Sequence, residues 1–257
     1  HNITYELILV TDLHHKPTLK AMTKLARQNI AKCLLLTKRI GKGGSIKNAI
    51  RYAKGKAIVL LDADIPVPAK TIALAAKYLL TKNLDLITAN RIHRTHGTLR
   101  RILSIGYNTL VNILFKTGLQ DHQAGFKVLS RRAAKVILAE RTRTNGLAYD
   151  TEIIVWTKKH KLKHNTINTT WKEQRKHTTI PLLRAALTIL ADLITLRLLT
   201  LTRKYTALQK TPIGKVIDLK NNKTIGQEYT TTIKTTGPKK HILNTLKKLY
   251  TTITHRR

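Results

Sequence analysis

The chain of 257 residues is long enough to bury one large domain, or a domain with an extension, and its apolar content of 42% excludes a wholly disordered protein. It carries 48 Lys and Arg against 13 Asp and Glu, a formal net charge of +35, which favours polyanionic partners such as nucleic acid, anionic lipid headgroups or phosphorylated substrates. The single cysteine, Cys33, excludes an internal disulfide framework, and its apolar surroundings predict a buried thiol in a reducing compartment.

Short apolar runs alternate with helix-period stretches over the first two-thirds of the chain. The pattern predicts strands at 5–11, 32–37, 56–61 and 84–88, with helices at 18–29, 43–53 and 71–80 between them. This alternation is typical of the α/β class, with a mostly parallel sheet flanked by helices. Ligands of such sheets bind beyond the carboxyl ends of the strands, where the loops converge.

The order of elements changes after residue 90. The spacing predicts a long helix at 99–115, a loop at 118–125, a short strand at 126–129, a helix at 149–159 and a strand near 162–167.

Residues 179–202 are mostly apolar, and Arg184, Thr188, Asp192 and Thr195 fall on one helical stripe. The segment is long enough to span a bilayer, but Asp192 near its centre would cost about 2.5–3.5 kcal/mol. We therefore expect an amphipathic helix lying in the membrane interface, with packing against the domain as the alternative.

Residues 203–257 form a basic C-terminal extension with 13 Lys and Arg against two acids, a net charge of +11. We expect a small appendage or a partly disordered tail. Each basic residue near an anionic membrane is worth about 1 kcal/mol, so the extension could hold the protein at such a surface.

The strongest chemical signal is Asp62-Ala63-Asp64, directly after the third predicted strand. Two carboxylates one residue apart can bind one hard cation between them, and Mg²⁺ and Mn²⁺ prefer oxygen ligands and commonly share their shell with substrate phosphates. A D-x-D pattern alone is weak, but acids are scarce in this chain and this pair stands at a strand end. The sequence therefore predicts a Mg²⁺ or Mn²⁺ site at Asp62 and Asp64.

Seven short runs stand in order and with suitable spacing: YELILVTD (5–12), GKGGSIKNAI (41–50), LDADI (61–65), ANR (89–91), DHQAGFK (121–127), YDTE (149–152) and WKEQR (171–175). Together they resemble family 2 glycosyltransferases, and in particular the branch of dolichol-phosphate mannose and glucose synthases that act on polyprenyl phosphates. The resemblance covers residues 5 to about 178 and implies the GT-A fold, a Rossmann-like sheet flanked by helices.

The resemblance also implies roles for individual residues. Donor binding, to the nucleotide sugar, falls to Asp12, Lys42, Asp62 and Arg175. Binding of the acceptor phosphate falls to Arg91, Gln123 and one of the neighbours Arg100 and Arg101, with Arg101 taken forward. Metal binding falls to Asp62 and Asp64, and the catalytic group comprises Asp64, Asp121 and Arg91.

Each of these residues also has a plain structural interpretation. Asp12 could form a strand-end turn, Lys42 could belong to a helix-start turn, and Asp121 could cap a loop. Asp150 and Glu152 open a helix, where acids favour the N-terminal dipole.

The chain departs from the family pattern at its beginning. Thr11 stands where the first Asp of an acidic pair is expected, and the family's first strand and nucleotide-binding turn should precede Tyr5, where only four residues stand. We expect the sheet to lack that strand, because the sequence is a fragment of a longer chain or because the protein is catalytically compromised.

The sequence thus predicts a GT-A catalytic domain over 1–178, an amphipathic helix over 179–202 and a basic extension over 203–257. The expected reaction is metal-dependent, inverting transfer of a hexose from GDP-mannose or a UDP-glucose-type donor to a dolichyl or polyprenyl phosphate, at an anionic membrane surface on the cytoplasmic face. Two alternatives remain: the same fold acting on a sugar or protein hydroxyl, and a basic protein that binds nucleic acid. With 5% aromatic residues and no readout motif, nucleic acid is the weakest of these partners.

Overall fold

The structure is a computed structural model and describes residues 3–12, 15–92, 98–139, 148–171, 182–201 and 206–235. Its strands are β1 (Ile8–Thr11), β2 (Lys32–Leu36), β3 (Ala57–Leu60), β4 (Leu86–Ile92), β5 (Lys127–Ser130), β6 (His164–Thr170), β7 (Thr206–Asp218) and β8 (Lys223–Thr235). Its helices are α1 (Lys16–Arg27), α2 (Gly41–Tyr52), α3 (Ala69–Thr81), α4 (Thr98–Phe115), α5 (Arg131–Ala139), α6 (Tyr149–Lys159) and α7 (Leu182–Leu201). The predicted α/β class is confirmed, and α5 is a helix that the sequence analysis missed.

The strands form two mixed four-stranded sheets, in the orders β1-β2-β7-β8 and β3-β5-β4-β6. Among the described strands, β1 with β2 and β4 with β6 are parallel, and the other pairings are antiparallel. The sheet is therefore less parallel than predicted, because β5 runs back between β3 and β4 and because β7 and β8 form a hairpin. Apolar periodicity identifies a strand but not its direction, which explains the difference.

The two sheets are separate in the part of the chain that the structure describes. There, β1 pairs with β2 alone and β3 pairs with β5 alone, so each strand has an open side.

The core of the second sheet lies on both of its faces. Ile58 and Leu60 of β3 face a cluster built with α5 and α6, whereas Val59, the residue between them, packs against the cluster of α3. Because successive strand residues point to opposite faces, helices cover this sheet on both sides. This arrangement leaves the carboxyl end of β3 as the place where its loop can meet those of its neighbours.

Asp85 joins the ends of three strands of the second sheet. Its buried carboxylate accepts hydrogen bonds from Ser130 Oγ at 2.9 Å, from the Lys163 amide at 2.9 Å and from the guanidinium of Arg132. Burial alone would raise the pKa of Asp85, but these hydrogen bonds hold the pKa below its usual value. The charged form of Asp85 therefore stabilises the junction of β4, β5 and β6.

Helix α7 packs against the domain through one face. Leu193, Leu196 and Leu199 are buried, and Leu196 shares a cluster with Trp156 of α6 and Phe115 of α4. Asp192 is buried as well, so the polar stripe predicted for this helix points partly inward. The opposite face is apolar and exposed, at Leu190, Ile194 and Leu201. Among the described helices, none combines the length and apolar character needed to cross a bilayer.

The hairpin of β7 and β8 lies within the region that we expected to be a small appendage. Its turn contains Asn222 with φ of +50°, and Val216, Ile217 and Asp218 pair antiparallel with β2. The described part of the basic extension therefore belongs to the first sheet. Residues 236–257, including the expected helical stretch, lie outside the described residues.

Candidate active site

The residues predicted to bind ligands follow the carboxyl ends of the strands. Asp12 follows β1 directly, and Asp62 comes two residues after β3. Arg91 is the second-last residue of β4. The Asp12 carboxylate accepts hydrogen bonds from the Ile40 amide at 3.0 Å and the Gly41 amide at 2.7 Å. Asp12 thus holds the N-terminus of α2, where unsatisfied amides and the helix dipole favour a negative charge.

Lys42, the second residue of α2, bridges two carboxylates. Its ammonium lies 2.8 Å from Asp62 Oδ1 and 2.8 Å from Asp150 Oδ2. Burial alone would lower the pKa of Lys42, but the carboxylates of Asp150 and Asp62 outweigh it and raise the pKa above its usual value. Lys42 is therefore a charged lysine at the D-x-D loop.

Asp150 receives a second ammonium from the interior. Lys127 Nζ, on a side chain that is 1% exposed, lies 2.8 Å from Asp150 Oδ1 and donates to the Ala124 carbonyl at 2.6 Å. Although burial would raise it, the pKa of Asp150 is held below its usual value by Lys127 and Lys42. Asp150 is thus a buried carboxylate between two cations, which the interpretation as a helix N-terminal acid did not foresee.

The Asp62 carboxylate lies directly against Gly125. A Cβ on Gly125 would lie 1.9 Å from Asp62 Oδ2 and 2.6 Å from its Cγ, so no side chain fits between them. Among the described residues, the half-buried Asp64 makes no hydrogen bond or ion pair. The loop between β3 and α3 therefore presents one carboxylate bound by a lysine and one that is available.

These two carboxylates fit a hard divalent cation only in part. No group of three or more His, Cys, Asp or Glu side chains occurs together within the described residues. Two carboxylates suffice when substrate phosphates supply further oxygen ligands, as is usual for Mg²⁺. Because Gly125 has no side chain, the Asp62 carboxylate can lie directly against that loop, in a position that suits such a role.

Arg91 and Asp121 form a two-point ion pair. Arg91 Nε lies 2.6 Å from Asp121 Oδ2 and Nη2 lies 2.9 Å from Oδ1, while the guanidinium stacks 5.2 Å from the centre of the Trp171 ring. The Asp121 side chain is 1% exposed and that of Arg91 is 16% exposed. Two residues predicted to act on the acceptor are therefore brought together, with the carboxylate inside and the cation towards solvent.

Helix α4 holds the loop that carries Asp121. His122 is buried, with Nδ1 2.6 Å from Asn108 Oδ1 and Nε2 2.6 Å from Thr117 Oγ1. Asn112 Nδ2 donates to the Leu119 carbonyl at 2.8 Å. Burial, more than its neighbours, lowers the pKa of His122 to about 4, so the ring is neutral near pH 7. Sequence reasoning missed these contacts, although the helical spacing of the two asparagines was visible.

A second contact from α4 reaches Gln123 and α6. The Tyr107 hydroxyl lies 2.5 Å from Thr151 Oγ1 and interacts with the Gln123 side chain. Burial raises the pKa of Tyr107, which keeps the phenol protonated. Gln123, predicted on the acceptor side, is half-buried beside this contact.

Three further residues were predicted to contact phosphate: Arg100, Arg101 and Arg175. Arg101 is exposed on α4. The side chain of Arg100 and all of Arg175 lie outside the described residues, so their predicted phosphate contacts stay predictions.

Comparison with known proteins finds similar sequences and similar structures. The family model described as Glycosyl transferase family 2 matches residues 2–138. Dolichyl-phosphate beta-glucosyltransferases of Trichomonas vaginalis, Dictyostelium discoideum and Homo sapiens are 26%, 28% and 26% identical to the chain, over 67%, 66% and 66% of its length. Each match covers 56% of the relative, so the chain spans little more than half the length of these curated relatives.

Solved structures show the same fold. Crystal structures of glucosyl-3-phosphoglycerate synthase from Mycobacterium tuberculosis, one with UDP and one with Mn²⁺, UDP-glucose and phosphoglyceric acid, each give a TM-score of 0.54 at 13% identity. Both alignments cover 76% of this chain and 80% of the other. The predicted GT-A-like arrangement of sheet and helices is confirmed by this likeness.

Proposed function

Since this chain belongs to glycosyl transferase family 2, we propose that it transfers glucose from a UDP-glucose-type donor to dolichyl phosphate or a related polyprenyl phosphate. Three similar relatives bear the name dolichyl-phosphate beta-glucosyltransferase, which favours glucose over the mannose that the sequence left open. Two neighbours in fold were crystallised with UDP or UDP-glucose, which is in keeping with a uridine nucleotide.

One observation carries the proposal: Asp62 and Asp64 stand at the end of β3 with the Lys42 ammonium 2.8 Å from Asp62. A departing nucleoside diphosphate gains charge as the sugar bond breaks, and cations at that place lower the barrier. We propose that Asp62 and Asp64 hold Mg²⁺ or Mn²⁺, which stabilises the diphosphate, and that Asp12, Lys42 and Arg175 bind the rest of the donor.

The acceptor phosphate needs positioning more than deprotonation. It is largely ionised near neutral pH, so an oxygen can attack the anomeric carbon while the bond to the diphosphate breaks, with inversion at that carbon. We propose that Arg91, Arg101 and Gln123 bind this phosphate, since a guanidinium suits phosphate oxygens. Asp121, ion-paired with Arg91 at 2.6 Å, then orients the arginine instead of acting as a base.

This pairing also weighs against transfer to a hydroxyl acceptor. An alcohol would need a general base within reach, and the Asp121 carboxylate is buried and bound to Arg91 at both oxygens. No observation favours nucleic acid over a phosphate-bearing substrate.

We propose that the protein acts at an anionic membrane surface, on the cytoplasmic side, through the exposed faces of α4 and α7. Ile102, Ile105 and Ile113 of α4 are exposed at helical spacing, and α7 exposes Leu190, Ile194 and Leu201 on the side away from its buried leucines. The two helices contact each other. An acceptor whose lipid chain lies in a bilayer is reached at the bilayer surface, where exposed apolar helix faces bind.

The metal assignment can be tested with Asp64→Asn. We expect transfer of labelled glucose from UDP-glucose to dolichyl phosphate, measured in the organic extract, to fall by about a hundredfold or more, because stabilisation of leaving-group charge contributes on that scale. Asp218→Asn, in the β7–β8 hairpin, is the matched control and should transfer normally. Unchanged turnover of Asp64→Asn would remove the metal assignment, and wild-type transfer to an alcohol but not to dolichyl phosphate would overturn the acceptor.

A further inference from the structure

The Lys42 ammonium occupies one side of a carboxylate to which the proposed function assigns a metal ion. Lys42 Nζ lies 2.8 Å from Asp62 Oδ1, a distance typical of a charge-assisted hydrogen bond. A divalent ion that binds Asp62 meets this ammonium at close range. The lysine and the metal therefore compete for the same carboxylate.

Lys42 is exposed enough to change its ion-pair partner, whereas Lys127 is enclosed by the protein. The Lys42 side chain is 29% exposed and that of Asp62 is 35% exposed, whereas Lys127 is enclosed at 1%. When Lys42 moves away, Asp150 still has the Lys127 ammonium 2.8 Å from its other oxygen. Movement of Lys42 therefore leaves no buried carboxylate without a counter-ion, which would otherwise be costly.

The charges of the groups involved decide when the exchange is favourable. Without ligands, Asp62, Asp64 and Lys42 together carry one net negative charge. A divalent ion alone would make this group net positive, with an ammonium beside the metal. A metal ion together with the two negative charges of a donor diphosphate restores the original balance, and the diphosphate offers the ammonium a new partner.

We propose that Lys42 is an internal cation that keeps the metal off Asp62 until a nucleoside diphosphate arrives and takes over the ammonium. Metal and donor then bind as a coupled pair, and each strengthens the binding of the other by the same factor. This inference rests on the proposed function and adds an order of events to it.

The test measures Mn²⁺ binding to the purified protein, by the electron paramagnetic resonance signal of free Mn²⁺, with and without UDP, after subtraction of the Mn²⁺ that UDP binds in the absence of protein. In the wild type, UDP should tighten Mn²⁺ binding strongly. In Lys42→Met, which keeps an unbranched stem but lacks the ammonium, Mn²⁺ without UDP should bind about tenfold more tightly than in the wild type, within the usual range of such couplings. The further gain from UDP should shrink by a similar factor.

Two variants serve as controls. Lys42→Arg keeps the cation and should bind Mn²⁺ as weakly as the wild type without UDP. Lys77→Met removes an exposed lysine of α3 and should leave Mn²⁺ binding unchanged, which separates the local effect from the loss of one charge out of +35. Should Lys42→Met fail to fold, as judged by circular dichroism, wild-type Mn²⁺ binding that is indifferent to UDP would still contradict the proposal.

Several results would overturn the proposal. Equal or weaker Mn²⁺ binding by folded Lys42→Met contradicts it, and so does wild-type Mn²⁺ binding that is indifferent to UDP. If the wild type transfers glucose under these outcomes, the proposed function survives and only the competition is wrong. If the wild type neither binds Mn²⁺ with UDP nor transfers glucose, both fail.

Discussion

Gly125 determines where the Asp62 carboxylate can lie. A methyl group at this position would overlap Asp62 Oδ2 at 1.9 Å, and the rest of the loop offers little room because Ala124 and Phe126 on either side are buried. The glycine is thus required for the contact between the loop that carries Asp121 and the D-x-D loop.

We expect Gly125→Ala to push the Asp62 carboxylate away from Lys42 and to lower kcat for glucose transfer by about a hundredfold, the scale on which a displacement of about 1 Å acts. The measurement is kcat as a function of Mn²⁺ concentration. Gly106→Ala is the matched control, since its added Cβ meets no atom within 4 Å on the exposed side of α4. That control should retain full activity, and full activity of Gly125→Ala would contradict our account of the contact.

For individual residues, the sequence predicted which side chains belong to the candidate site better than it predicted their ion-pair partners. The spacing of Asp62 and Asp64 after an apolar strand was sufficient to predict the D-x-D loop. The pairing of Arg91 with Asp121 joins residues 30 positions apart, and the pairing of Lys42 with Asp150 joins residues 108 positions apart, so no local pattern indicates either one. Lys127 was also missed as a buried cation, because a lysine in a short strand usually points to solvent.

Among the elements, the ends of β4, β5 and β6 share one buried carboxylate, that of Asp85. The folded protein holds the pKa of Asp85 below its usual value, so the charged form contributes stability at any pH above the unfolded value near 3.9. That contribution decreases as the pH falls below 4 and is lost once the pH passes the folded pKa.

We expect Asp85→Asn to lower the free energy of unfolding at pH 7 by about 2 kcal/mol, because an amide nitrogen in place of Oδ2 cannot accept from the Lys163 amide and Arg132 Nη2. The difference from the wild type should shrink as the pH falls below 4. Urea unfolding followed by circular dichroism at pH 3 to 7 measures both effects. Asp64→Asn, which loses no partner among the described residues, should unfold like the wild type, and equal stability of Asp85→Asn at pH 7 would refute the role of the carboxylate.

The sequence predicted the existence of the elements more reliably than their directions and faces. The βαβα pattern to residue 92 was predicted, but β5 was not expected to be antiparallel. This strand has only four residues, and its sequence does not indicate whether it runs parallel or antiparallel to its neighbours. In α7, the polar stripe suggested a solvent-facing side at Asp192, yet that residue is buried and the exposed face is apolar. A helix between a protein and a membrane has two apolar sides, so periodicity alone cannot identify the inner one.

For the molecule as a whole, the charge of +35 and the apolar faces of α4 and α7 should act together at a membrane. We expect the charge to attract the protein to anionic lipid over a distance that salt shortens, and the exposed isoleucines and leucines then to enter the interface. The composition predicted the electrostatic attraction, but the positions of the exposed apolar residues are known only from the folded helices.

We expect the protein to sediment with vesicles of phosphatidylcholine containing 30% phosphatidylserine, and to bind them less as NaCl increases. The double variant Ile105→Asp with Ile113→Asp should bind at least about tenfold more weakly, because burial of each side chain is worth about 1.5–3 kcal/mol. Leu74→Asp with Leu80→Asp, exposed leucines of α3, is the matched control and should bind normally. Equal binding of the two double variants would exclude α4 from the membrane contact.

The hairpin of β7 and β8 ties the last described part of the chain to one of the first. The Thr37 amide donates to the Lys215 carbonyl at 3.1 Å, and the Lys215 amide donates to Thr37 Oγ1 at 2.8 Å, across 178 positions of sequence. At about 5–20 residues per second, a ribosome needs roughly 10–35 s to supply the second partner after the first has been made. During that interval the nascent sheet displays the bare backbone of β2 to other chains, so this protein should rely on chaperones during synthesis more than its size alone suggests.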